Sequence, residues 1–283
     1  MKLRGDQLKK FRKSKGLSQK QLAQGICTQA TISLIEKNNK IPGMTILSQL
    51  CARLGISIDE ILVDDNQVLT DIFTEINDLM LQKKYDAATI LLNNVGIKQL
   101  QGQYDKERYY YFLGMLQLDQ SKDYDEALFN FELVLKQFAV DNDDIYQVMT
   151  TIATGTAWFY KGDYEQAKLF AKKGAQSLQI VNTTASVQQM IAANVSLAQL
   201  NQQIEQPATA IELAQQALLL CRKQNVLFLL DDVYAILASS YFTMGQLDDA
   251  KENSQIAISL TKVMQHAELR ERLIKQFRKL GGR

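Results

Sequence analysis

The chain has 283 residues, 46% hydrophobic, with a net charge of only +1, a length that holds two domains with a core in each. The charge is unevenly spread: residues 1–58 carry eleven Lys and Arg against Asp6 and Glu36, whereas the remainder carries 21 basic and 29 acidic residues. No run of about 18 apolar residues marks a membrane span, the opening MKLRGDQLKK lacks the apolar stretch of a secretory signal, and Cys27, Cys51 and Cys221 form no metal or redox motif. A cytoplasmic protein with reduced thiols and no membrane association is expected.

The first unit reads as five short helices over residues 1–62. Helix 1 is predicted at about Gly5–Lys15, with Leu8 and Phe11 inward and Gly16 ending it. Ser18 and Gln21 form a capping box that starts helix 2, whose Leu22 and Ala23 face the core before Gly25 begins a turn. Thr28 caps helix 3, with Ile32 and Ile35 inward and Asn38 and Asn39 at its end. Helix 4 is predicted from Met44 to Leu54, with Gly55 as its stop, and a short fifth helix from Ser57 to Leu62. Residues 63–67 read as a linker.

From residue 68 to 265 the chain repeats. Five segments carry a turn and then a small residue in a helix, at Ala88, Ala127, Ala167, Ala210 and Ala250. The spacings are 39, 40, 43 and 40 residues. An apolar run upstream of each supplies a partner helix, and the small residue lets the two approach. Three of the segments put Tyr three residues before the Ala and one puts Leu there; the fourth has Pro207. Residues 266–283 read as a terminal helix that caps the stack.

A basic unit built this way suits a polyanionic partner, although a merely solvated basic surface is the plain alternative. GLSQKQLAQ, a turn and TQATISLIEK resemble the Xre/Cro-type helix-turn-helix of phage repressors, and the repeats resemble tetratricopeptide repeats with a longer period. The resemblance implies an all-α protein, with helix 3 in the DNA major groove and a right-handed superhelix of hairpins behind it. With Ile32 and Ile35 inward, Gln29, Ala30 and Ser33 lie outward; Gln29 suits adenine and Ala30 a thymine methyl. Thr28, Thr31 and Ser33 are candidates for base or phosphate contact. Family positions assign Gln19, Lys37, Asn38 and Lys40 to the phosphate backbone, and Arg12 with Glu36 to an internal ion pair. Leu34 departs from the polar residue common at its position.

The whole architecture resembles the Rgg, NprR, PlcR and PrgX regulators, PlcR above all, which join such a head to repeats that bind short signalling peptides. That resemblance implies a cytoplasmic homodimer on a palindromic double-stranded operator, controlled by a peptide in the repeat groove. A partner protein in place of the peptide is the alternative. Repeat register puts Asn77, Arg108, Tyr111, Met115, Thr156, Phe159, Tyr160, Gln199, Gln202, Asp232 and Phe242 at the peptide, with Asn194 and Asn201 beside that wall as further candidates. Phe73, Met80, Ile152, Val195 and Ser239 share that register. No cofactor and no enzymatic activity are expected, since no P-loop, metal cluster or nucleophile motif occurs and His266 is the only histidine.

Overall fold

The computed structural model describes residues 2–63, 65–82, 84–138, 144–181 and 185–278. It forms two compact units, residues 1–99 and 100–283. Among the described residues the fold is all-helical apart from one two-residue ladder.

The first unit opens with α1 (Gly5–Ser14), α2 (Gln19–Ala23), α3 (Gln29–Asn38) and α4 (Met44–Leu54). The local chemistry explains each boundary. Ser18 Oγ accepts from the Gln21 amide at 3.2 Å while Gln21 Oε1 accepts from the Ser18 amide at 2.8 Å, the reciprocal cap expected for α2. Thr28 Oγ1 accepts from the Thr31 amide at 3.2 Å and opens α3. Asn39, in the left-handed conformation, closes it. Leu8, Leu22, Ile32, Ile35, Leu47, Leu50, Leu54 and Ile61 make one buried core. Helix α1 lies so close to α3 that a Cβ on Gly5 would stand 2.0 Å from the Ile35 carbonyl oxygen, and the Gly5 amide donates to Asn39 Oδ1 at 2.9 Å.

The fifth helix expected at Ser57–Leu62 is a single 3-10 turn, Ile58–Glu60. Leu62 and Val63 instead form strand β2, paired antiparallel with β1 (Lys2–Leu3). Only four residues separate the Ser57 cap from Leu62, and ladder hydrogen bonds rather than further helical ones satisfy the backbone beyond the turn. The segment expected as linker holds Val63 of that strand and the start of α5 (Asp65–Leu81); Asp64 lies outside the described residues. Helix α5 pairs with α6 (Tyr85–Asn93) to make the first hairpin.

The second unit continues with α7 (Gln103–Leu116) and α8 (Tyr124–Gln137), α9 (Ile145–Tyr160) and α10 (Tyr164–Ile180), α11 (Val187–Gln203) and α12 (Pro207–Gln224), and α13 (Leu230–Thr243) and α14 (Leu247–Val263). Helix α15 (Ala267–Phe277) packs on α14. Each of Ala88, Ala127, Ala167, Ala210 and Ala250 is the fourth residue of its hairpin's second helix, and each is 0% exposed. The repeat positions are thus the contact points where paired helices meet. Pro207, the anomaly of the fourth segment, is the first residue of α12, where proline's missing N–H costs nothing. Within this unit α7, α9, α11 and α13 also pack side by side. A Cβ on Gly155 of α9 would come within 2.7 Å of Leu200 Cδ2 on α11, a measure of how closely these first helices approach.

Candidate nucleic-acid interface and repeat groove

In the first unit a chain of polar side chains runs from the core to the outer face of α3. Arg12 on α1 donates from Nε and a terminal nitrogen to the two carboxylate oxygens of Glu36 on α3, at 2.6 and 3.0 Å. Its other terminal nitrogen donates to the Leu17 carbonyl at 2.6 Å. The pair is buried, with side chains 9% and 2% exposed. Burial raises the pKa of the Glu36 carboxyl, but hydrogen bonds from Arg12 and Gln19 outweigh it and hold the group below the usual carboxylate range. The Glu36 hydrogen bond pushes Arg12 upward, so the guanidinium is cationic throughout. Gln19, the first residue of α2, donates to Glu36 at 2.8 Å. Its own carbonyl accepts from the Gln29 side-chain amide at 2.8 Å.

The ion pair expected from the family resemblance is present. Sequence reasoning missed that Gln19 bridges it to Gln29. The 17- and 10-residue separations carry no local signal; only the fold brings the three side chains together. Gln29 is exposed at the first position of α3, and its side-chain amide is linked through Gln19 to the buried Glu36 carboxylate. The bond to Gln19 uses one N–H of the Gln29 side-chain amide.

The other head candidates fall around this centre. Ala30 is exposed and Ser33 half-buried on the outward face of α3, while Lys37 and Asn38 are exposed in its last turn and Lys40 just beyond. Thr28 and Thr31 are joined at 2.9 Å through their hydroxyls, so both serve the cap as well as the face. Leu34 is 43% exposed.

The repeat candidates sort into two groups. Arg108 is buried, 2.9 Å from Asp105, with its guanidinium 4.4 Å from the Tyr104 ring centre. Tyr111 is buried among Phe112 and Tyr146, and its hydroxyl meets Met149 Sδ at 3.9 Å; burial pushes its pKa far up. Asn194 and Asn201 are buried, each donating to a carbonyl one turn back at 2.8 Å. Gln202 ties α11 to α13 through the Ile236 carbonyl and Ser240. By contrast Gln199, Tyr160 and Phe242 are exposed, and Met115, Thr156, Phe159 and Asp232 are half-buried. Tyr160 stacks on Tyr124 with ring centres 5.5 Å apart and meets the edge of Phe159. Asn77 lies half-buried on α5, in the first unit. Phe73, Ile152 and Val195, placed on the inner wall by repeat register, are core residues at 1–3% exposure. Register gave the helix face but not the depth of packing behind it.

Residues 8–61 match the helix-turn-helix family. The class defined by fold and site is thus a helix-turn-helix head followed by helical-hairpin repeats. More particularly, the whole chain has the fold of the PlcR and ComR regulators. It is similar to Bacillus thuringiensis PlcR in complex with the peptide PapR7 and DNA, at 18% identity over 95% of this chain and 98% of that one, with a TM-score of 0.60. It is also similar to the apo form of the competence regulator ComR from Streptococcus vestibularis, at 16% identity, 98% and 97% coverage and a TM-score of 0.55. ComR from S. thermophilus in complex with DNA and its signalling peptide ComS aligns at 15% identity, 98% and 99% coverage and a TM-score of 0.51. No curated relative matches the chain in sequence.

Proposed function

We propose that the chain is a cytoplasmic transcription regulator that binds a palindromic operator as a homodimer and is controlled by a short peptide held along the repeats. The observation that carries the DNA-binding part is the relay from Arg12 through Glu36 and Gln19 to Gln29. An exposed glutamine at a helix N-terminus is ordinarily mobile. One that donates to a neighbour held by a buried ion pair is biased toward one rotamer, which lowers the ordering cost of base recognition. Gln29 then pairs with adenine N6 and N7, Lys37, Asn38 and Lys40 hold phosphates, and the N-terminus of α3 points at the bases. A single short helix reads few base pairs, so two heads about one DNA turn apart supply the remaining affinity.

The peptide part is supported by the shared fold with PlcR and ComR, both solved with DNA and peptide. It is also supported by the side-by-side packing of α7, α9, α11 and α13, which carries Met115, Thr156, Phe159, Tyr160, Gln199, Gln202, Asp232 and Phe242. Asn and Gln amides on such a wall suit a peptide backbone, and aromatics and Met suit its apolar side chains. Arg108, Tyr111, Asn194 and Asn201 form the layer beneath. A peptide shifts DNA affinity only by binding one arrangement of the dimer better than another.

The test is a titration of the full chain with operator selected from randomised duplexes, with and without members of a library of short synthetic peptides, while sedimentation follows the oligomeric state. Peptides that bind the chain, change operator affinity and lose both effects with Gln199→Ala and Phe159→Ala support the proposal. Peptide binding that leaves DNA affinity and assembly unchanged contradicts it.

A further inference from the structure

The outward face of α3 carries two parallel rows. Gln29, Ser33 and Lys37, four residues apart, make a polar row. Ala30, Leu34 and Asn38 make the row beside it, and its first two members are apolar. Leu34 is 43% exposed, whereas Ile32 and Ile35 on the same helix are buried at 0 and 1%. A large aliphatic side chain here adds nothing to the core.

We infer that Leu34, with Ala30, reads thymine 5-methyl groups in the major groove, and that Leu34 is a specificity-determining residue of this head. The inference rests on the DNA-binding proposal above and deepens it. The thymine methyl is the apolar group that base edges present in that groove. Residues four apart are about 6 Å apart along a helix axis, which spans about two base steps of ~3.4 Å. Ala30 and Leu34 therefore meet base pairs about two steps apart while Gln29 addresses its adenine. Charge selects the occupant: with eleven Lys and Arg against two acidic residues over positions 1–58, this head repels a second copy of itself and attracts a polyanion. An apolar stripe ringed by Lys37, Lys40 and preset amides fits a surface whose rim is phosphate and whose floor carries methyl groups.

The experiment selects duplexes from a randomised library with the full wild-type chain, then replaces each thymine of the enriched site, one at a time, by deoxyuridine. That change deletes only the methyl. The expected result is a loss of about three- to five-fold at one or two thymines, the effect of one buried methyl group. Leu34→Ala should bind the thymine site more weakly and be indifferent to deoxyuridine at the step that Leu34 covers. Leu34→Gln should enrich a different base pair there. Both substitutions lie on an exposed position, and unchanged circular dichroism verifies the fold. Wild-type indifference to every deoxyuridine overturns the inference while leaving DNA binding intact. So does a Leu34→Ala variant that keeps the full deoxyuridine effect, or one whose loss is entirely a change in oligomeric state, which would assign Leu34 to a contact between copies. If no sequence is enriched at all, the DNA-binding reading itself fails and takes this inference with it.

Discussion

Replacing Glu36 by alanine removes the acceptor at the centre of the head. Arg12, 9% exposed at its side chain, would lose two hydrogen bonds and its counter-charge, keeping the Leu17 carbonyl alone. Gln19 would lose the acceptor that orients it. A buried charge stripped of its partner typically destabilises by ~3–5 kcal/mol. Exchanging both ions for apolar residues of similar volume removes the unpaired charge, so Arg12→Met with Glu36→Leu should return most of that loss. The single tryptophan, Trp158, lies in α9 of the second unit, so its fluorescence reports on the repeats rather than the head. Amide hydrogen exchange of α1–α3 in the full chain is the suitable assay. A loss of opening free energy under about 1 kcal/mol for Glu36→Ala, against that ~3–5 kcal/mol expectation, would refute the reasoning. A double variant no more stable than the single one would refute it as well.

The same network predicts a pH response. The folded Glu36 carboxyl lies below its ordinary value of about 4.3; its stabilisation is complete above that pH and disappears as pH falls through the lowered folded value. NMR titration of Glu36 in the full chain should give a midpoint below about 4.3, and a higher midpoint contradicts the pairing energetics. Gly5→Ala places a methyl 2.0 Å from the Ile35 carbonyl oxygen and should cost at least about 1–3 kcal/mol by forcing α1 off α3; unaltered exchange in both helices would show that the contact yields freely. Lys37→Ala should weaken binding to all duplexes alike and lower the salt slope by about 0.9, one phosphate's worth. An unchanged slope removes Lys37 from the backbone contacts.

Much of the head was legible because its information is local. Ser18 with Gln21, Thr28, and Gly55 beyond α4 act within four residues of the helix end they define, and apolar spacing gave the core face of each helix. The 3-10 turn at Ile58–Glu60 was not, because its competitor is the ladder to Lys2 and Leu3 at the far end of the unit. In the repeats the alanine period located every hairpin, since helix contact at one fixed position needs a small residue. Depth along the first helices was hidden. Arg108 and Tyr111 look like surface chemistry in the sequence, but the neighbouring hairpin's Tyr146 and the nearby Tyr104 and Asp105 enclose them. His266, which carried no motif, turns out to meet fully buried Asp231 at 2.6 Å, pinning the start of α15 to α13.

The central claim is that α3 reads base edges through a glutamine preset by the relay behind it. Its most direct test compares the sequence preference of the wild-type full chain with that of Gln29→Ala on randomised duplexes. The account predicts that preference for adenine vanishes at one base pair of each half-site, with affinity for the best site reduced by about 1–3 kcal/mol and the other positions still discriminated. An identical enriched sequence from both proteins, or an equal loss on specific and random DNA, would contradict it.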